Sequence, residues 1–106
     1  MALGSPKAFS ITGSAAAGAV LITFPFFPSA VYFENSDTTN AYNVNWSATA
    51  TATNTGTGAD IANIRISAGS KTAYNFENPN VSNSFALSLI AVAGTPAFVI
   101  NAIAYR

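Results

Sequence analysis

The sequence predicts an all-β fold: an antiparallel β-sandwich, jelly-roll-like, of seven or eight strands. It forms one domain over residues 1–106, with a short N-terminal arm at about 1–7. Three observations carry this reading. First, the stretch VLITFPFFPSAVYF, residues 20–33, holds Phe24, Phe26, Phe27 and Phe33 around Pro25 and Pro28, with no charge before Glu34. No helix keeps two prolines three apart in its interior, and the residue before each is pushed towards extended geometry. Second, apolar and polar residues alternate cleanly over 42–50, and 84–93 alternates again with Phe85, Leu87 and Leu89 opposite Ala86 and Ser88, the period of a strand. Third, a strand–corner–strand pattern occurs twice, as a two-layer fold would use it.

In order along the chain, residues 7–12 alternate weakly around Phe9 and Ile11 and give a first strand. GSAAAG, residues 13–18, is a small-residue connection with room for one helical turn. Residues 19–24 are apolar on both faces and are expected to lie centrally or under cover on both sides. Residues 25–28 form a rigid aromatic corner, and 29–34 the next strand. NSDTTN, residues 35–40, has turn composition. Tyr42, Val44, Trp46 and Ala48 then mark one face of a strand, with Asn43, Asn45, Ser47 and Thr49 on the other. The Ala/Thr run that follows is expected to stay extended to about Thr53 and to loop as far as Asp60. Strands follow over 61–67 and 71–77, around the turn Ala68-Gly69-Ser70. Strand 84–93 and the closing strand 98–105 flank Ala93-Gly94-Thr95-Pro96, expected to be a tight hairpin. The closing strand is apolar on both faces and is expected to be central or to meet another subunit.

The repeated pattern aligns 30–48 with 73–91 at an offset of 43 residues. Phe33-Glu34-Asn35 matches Phe76-Glu77-Asn78, Asn40 matches Asn83, Tyr42 matches Phe85, Val44 matches Leu87 and Trp46 matches Leu89. In such a corner Asn tolerates left-handed backbone, and each Glu is placed to accept hydrogen bonds from loop amides.

Composition narrows the function. Charged residues are 8% of the chain, against about 25% in ordinary globular domains. The charges cancel and the mean hydropathy is positive. A surface so poor in charge favours association. The expected state is a homo-oligomer, with Leu3, Tyr32, Ile103 and Tyr105 as interface residues and 2–7 and 105–106 ordered by contacts. Four scattered cations do not make a phosphate-binding surface, so no nucleic-acid partner is expected. Lys7 ahead of the apolar residues 15–27 has the outline of a secretory signal, and 15–33 has the length of a membrane span. Two prolines, glycine and β-branched residues suit strands better, so neither is expected.

The chain has no cysteine and no histidine, which removes thiolate sites and the commonest acid–base group. No Gly-x-Ser-x-Gly occurs, and Gly56-Thr57-Gly58 opens no helix. Glu34, Asp37, Asp60 and Glu77 are the acids from which a glycosidase pair or a calcium site would have to be drawn, and all fall at strand ends or in loops. No enzymatic activity, cofactor, metal or small-molecule substrate is expected. Tyr32, Tyr42, Trp46, Tyr74 and Tyr105 form the alternative, a sugar-binding face; at strand spacing they read first as core or interface aromatics. Asn45-Trp46-Ser47 and Asn80-Val81-Ser82 fit the glycosylation pattern and are read as accidental. Phe24, Pro25, Phe26, Phe27, Pro28, Phe33, Trp46 and Phe76 are expected to build the corner and the core.

The succession FPFFPSAVYFEN, NAYNVNWSATA, IRISAGSK and LSLIAVAGTPAFVINAIAYR resembles the small β-sandwich decoration, or cement, proteins on the heads of tailed bacteriophages. The resemblance spans about residues 11–106. It lies in general character, a short, cysteine-free, charge-poor chain rich in Asn, Thr and Ala, and not in a diagnostic motif. It implies a non-enzymatic virion structural protein, made in the host cytoplasm and not secreted. Such a protein binds the outer surface of the major capsid protein shell, often as a trimer, and stabilises it. The resemblance fixes no functional residues. The alternative is a receptor- or carbohydrate-binding module of a phage tail or adhesin. The two differ in whether the aromatics line an exposed concavity or are buried.

Overall fold

The computed structural model describes residues 7–53, 62–76 and 85–104. Leu3, Tyr105, Asp60 and Glu77 fall outside these, as do the second glycosylation pattern and the second half of the repeated Phe-Glu-Asn corner. Eight strands are formed: β1 (Lys7–Ser14), β2 (Val20–Phe24), β3 (Ala30–Asn35), β4 (Tyr42–Asn45), β5 (Ile64–Ile66), β6 (Lys71–Asn75), β7 (Phe85–Ala91) and β8 (Ala97–Ala104). They make two four-stranded antiparallel sheets, ordered β1-β8-β3-β6 and β2-β7-β4-β5.

The pairing has a simple logic. β1 pairs with β8, β2 with β7, β3 with β6 and β4 with β5. The chain is therefore one long two-stranded ribbon, rolled so that β3 also meets β8 and β4 also meets β7. That is the eight-stranded jelly roll, the more specific form of the sandwich expected from sequence. Every connection except that from β4 to β5 passes from one sheet to the other. The turn at 93–96 is in its expected place but is not a hairpin, because the strands it joins, β7 and β8, lie in different sheets. Gly94 takes φ +61° there, and beside it the Val92 N–H donates to the Ala41 carbonyl at 3.0 Å.

The core lies between the inward faces, with Ile22, Phe24, Val31, Phe33, Tyr42, Val44, Ile66, Leu87, Leu89 and Ile100 all buried. Burial of each such side chain is worth about 1.5–3 kcal/mol. The proline corner feeds this core from one end. Phe24 packs on Phe9 and on Phe85, both at 5.1 Å between ring centroids. Phe26 and Pro28 are buried, while Pro25 faces solvent. Phe27 meets Phe76 at 5.6 Å, and Trp46 stacks over Phe33 at 6.5 Å and meets Phe76 at 5.4 Å.

Four expectations are corrected. β2 is an edge strand and not a central one, and its outer face is open at Leu21. β4 ends at Asn45 and not near Thr53, because the Asn45 carboxamide oxygen accepts from both Ser47 and Ala48 N–H at 2.8 Å and turns the chain. Residues 13–18 hold no helical turn; β1 runs on to Ser14. Lys7 belongs to β1 and not to the arm. The β3–β4 corner also works differently. Asn35 donates to the carbonyls of Asn40 (2.9 Å) and Ile66 (3.1 Å), and Asp37 accepts from the amides of Thr39 and Asn40. Asn35 and Asp37 thus do the capping expected of Glu34, whose carboxylate instead lies 3.8 Å from Lys71. No described residue other than glycine has positive φ, so asparagine acts through its side chain.

Candidate interaction surfaces

With the aromatics turned inward, what the protein offers to a partner is its two outer faces and its edges. On the first sheet, strand register sets out the outer face in rows: Ser10, Asn101, Tyr32 and Ala73 lie across from one another, and beside them Thr12, Val99, Glu34 and Lys71. Ser10, Thr12 and Ala73 are the small members of these rows. Tyr32 stands out of the face, 46% exposed. A shallow depression of about 350 Å³ runs beside it, lined by Ala8, Phe9, Ser10, Tyr32, Asn101, Ala102 and Ile103. Two of the expected interface residues, Tyr32 and Ile103, are thus brought together. The Glu34–Lys71 pair is solvent-exposed and worth little.

The second sheet is covered differently. Apolar residues on both faces of β7 suggest a partner subunit, yet residues 46–53 of the same chain fold back across its outer face. An asparagine network holds them there. Asn43 donates to the Thr51 carbonyl at 2.8 Å, Asn45 to the Asn63 carboxamide oxygen at 3.1 Å, and Asn63 to the Thr51 hydroxyl at 2.7 Å. Ala50 N–H donates to the Ser88 hydroxyl at 2.9 Å. Asn43, Asn45, Asn63 and Ser88 are all buried, and no buried side-chain nitrogen or oxygen among the described residues lacks a partner. Sequence alternation puts Asn43 and Asn45 on a wet face, which the structure corrects. The signal for their burial is Asn at alternate positions opposite a run too small to shield anything by itself. Asn45 is consequently inaccessible as a glycosylation acceptor.

The cover stops short of β2. A groove of about 400 Å³ remains between it and the folded-back segment, lined by Leu21, Trp46, Ala48, Thr49, Ala86 and Ser88 among others. Leu21 is 71% exposed and Val20 48%.

The titratable groups are tied to structure. The amides of Asn40 and Thr39 hold the Asp37 carboxyl below its usual range. Burial, with the Glu34 carboxylate nearby, pushes the Tyr42 phenol up; its hydroxyl donates to the Glu34 carbonyl at 2.9 Å, pinning the β3–β4 corner. Among the described residues no three Asp or Glu side chains cluster as metal ligands, and no helix is long and apolar enough to cross a membrane. Of the aromatics considered for a sugar face, Tyr42 is fully buried, and Trp46 and Tyr74 pack on each other at 5.5 Å against the core. Only Tyr32 among the described ones stands exposed.

No family model, curated protein or solved structure matches this chain. The class is therefore set by the architecture alone: an eight-stranded antiparallel β-sandwich with jelly-roll connectivity.

Proposed function

We propose that this protein is a non-enzymatic virion structural subunit, a capsid decoration protein that binds the outer surface of a major capsid protein shell and stabilises it. It acts there as a homo-oligomer, for which the family resemblance implies a trimer. The observation that supports this is the disposition of its aromatics. Apart from Tyr32, the described ones pack into the sandwich core, and the first sheet is left with an open, nearly neutral outer face around Tyr32 and Ile103. A neutral face suits contact with another protein surface, where aromatic anchors such as Tyr are favoured. The carbohydrate-binding alternative calls for several aromatics around an exposed concavity, and Tyr42, Trp46 and Tyr74 are committed elsewhere.

The test is addition of purified protein to empty phage capsids, read by co-sedimentation and by the temperature at which shells disassemble. Saturable binding that raises this temperature, weakened by Tyr32→Ala, is expected. Absence of binding to capsids of the phage that encodes the protein overturns the reading.

A further inference from the structure

Among the described residues the two sheets present four edge strands: β1 and β6 on the first, β2 and β5 on the second. An edge strand carries a row of backbone N–H and C=O groups with no strand beside them, and proteins guard such edges with charge, above all lysine, or with proline and bulges. Three of the four edges here carry a cation: Lys7 on β1, Arg65 on β5 and Lys71 on β6. These are three of only four Lys and Arg in the whole chain. The scarce positive charge is thus placed on strand edges.

β2 is the exception. Its sequence, VLITF, has no charge, no proline and no bulge against β7. It is rich in the β-branched and aromatic residues that pair well. It also carries two of the three large apolar side chains left exposed among the described residues, Val20 and Leu21. Among protein partners, the one that matches such a row of backbone donors and acceptors along its whole length is another extended strand.

We infer that β2 is a self-association edge, along which the β2 strand of a second copy pairs antiparallel to extend the second sheet across a twofold axis. A second copy is the occupant because the same strand is the one edge it too leaves unguarded, and a strand pairing with itself makes a closed, isologous contact. With the axis at Ile22, Leu21 and Thr23, which share the outer face of β2, face each other across the new ladder, covering the exposed leucine. This inference stands apart from the capsid reading. It gives a twofold pair where the resemblance implied a trimer.

The experiment is native mass measurement and light scattering on the full chain and on Leu21→Lys, Thr23→Lys and Tyr32→Lys, over a range of concentrations. A lysine at either position lies diagonally across the pair from its twin, within reach of like-charge repulsion, and both β2 positions are solvent-facing, so the variants should keep the fold; near-ultraviolet circular dichroism and Trp46 fluorescence verify this. The wild type is expected at twice the 10.9 kDa chain mass, or a multiple of that pair. Leu21→Lys and Thr23→Lys are each expected to lose the pair, with faster hydrogen exchange in β2, while Tyr32→Lys keeps it. A wild type that stays monomeric at high concentration overturns the inference, as does an oligomer unchanged by both β2 variants. Loss of capsid binding by Tyr32→Ala with the pair intact concerns the other face and leaves this one standing.

Discussion

Replacing Asn45 by alanine tests whether the asparagine network, and not alanine–threonine packing, holds residues 46–53 on the second sheet. The side chain is fully buried. Its oxygen accepts from the Ser47 and Ala48 amides at 2.8 Å, and its nitrogen donates to Asn63 at 3.1 Å. Each buried polar group left without a partner costs about 1–3 kcal/mol, and the two amides lie close enough to solvent to recover part of theirs. The expected loss is therefore about 2–4 kcal/mol, a large share of the roughly 5–15 kcal/mol of a domain this size. Urea unfolding followed by Trp46 fluorescence measures it, since Trp46 is the only tryptophan and directly follows the site. Hydrogen exchange gives the local readout. The Ala50 amide, bonded to Ser88 under the covering segment, should lose protection more than the amides of β8. Asn101→Ala, at an exposed site on the other sheet, should stay within about 0.5 kcal/mol of the wild type. A loss below about 0.5 kcal/mol in Asn45→Ala, with Ala50 still protected, would refute the reasoning.

The proline corner should be as costly to disturb. Phe24→Ala removes a buried ring in contact with Phe9 and Phe85 and is expected to lose about 3–5 kcal/mol; unchanged urea midpoints for both Phe24→Ala and Phe26→Ala would show that the corner does not anchor the core. Gly94→Ala should lose about 1–3 kcal/mol, because its φ of +61° disfavours a side chain and a Cβ there meets the Asn40 carboxamide; Asn40→Ala in the same chain should restore only part, as read by thermal unfolding. Asp37, whose carboxyl is held below its usual range by the Asn40 and Thr39 amides, stabilises the fold when ionised. That contribution is present at neutral pH and fades as pH falls through the carboxylate range, so the stability of the wild type should drop more steeply in acid than that of Asp37→Asn. Parallel pH profiles for the two proteins would contradict the capping role.

Most of the strand inventory was legible because its cause is local. Prolines break helices wherever they sit, and a period of two in apolar residues marks a strand with one buried face. What sequence did not show depends on partners distant in the chain. Residues 19–24 read as central because they are apolar on both faces, but whether Leu21 is covered depends on where residues 46–53 settle. Those residues read as extended because alternation continues past Asn45, and only the Asn45 carboxamide bonding its own chain two and three residues on reverses them. The burial of Asn43 and Asn63 was hidden for the same reason. The turn at 93–96 was placed correctly and joined wrongly, since turn residues fix a change of direction and not which sheet receives the next strand. Of the residues expected at an interface, Tyr32 and Ile103 do share a face, while the open edge at β2 emerges only when the four edges are compared.

The repeated sequence pattern has a geometric counterpart in the register. Val31 lies opposite Tyr74 in the pairing of β3 with β6, and Asn45 opposite Ser88 in that of β4 with β7. In both sheets a residue thus faces the one 43 places further along, the offset of the echo itself. The two strand–corner–strand units run antiparallel side by side, in the arrangement of a local twofold axis through both sheets. That arrangement asks the same of each unit: an aromatic or large aliphatic residue at matching inward positions. Phe33, Tyr42 and Val44 supply it in one unit and Phe76, Phe85 and Leu87 in the other. The aromatics that follow the two corners are not used alike. Tyr42 closes the first by donating its hydroxyl to the Glu34 carbonyl. Phe85, in the matching place, has no hydroxyl to donate, and it packs on Phe24, Phe27, Trp46 and Phe76 instead. Common strand geometry accounts for the echo in the strands, and the divergence falls where Tyr42 donates a hydrogen bond to its corner and Phe85 fills the end of the core.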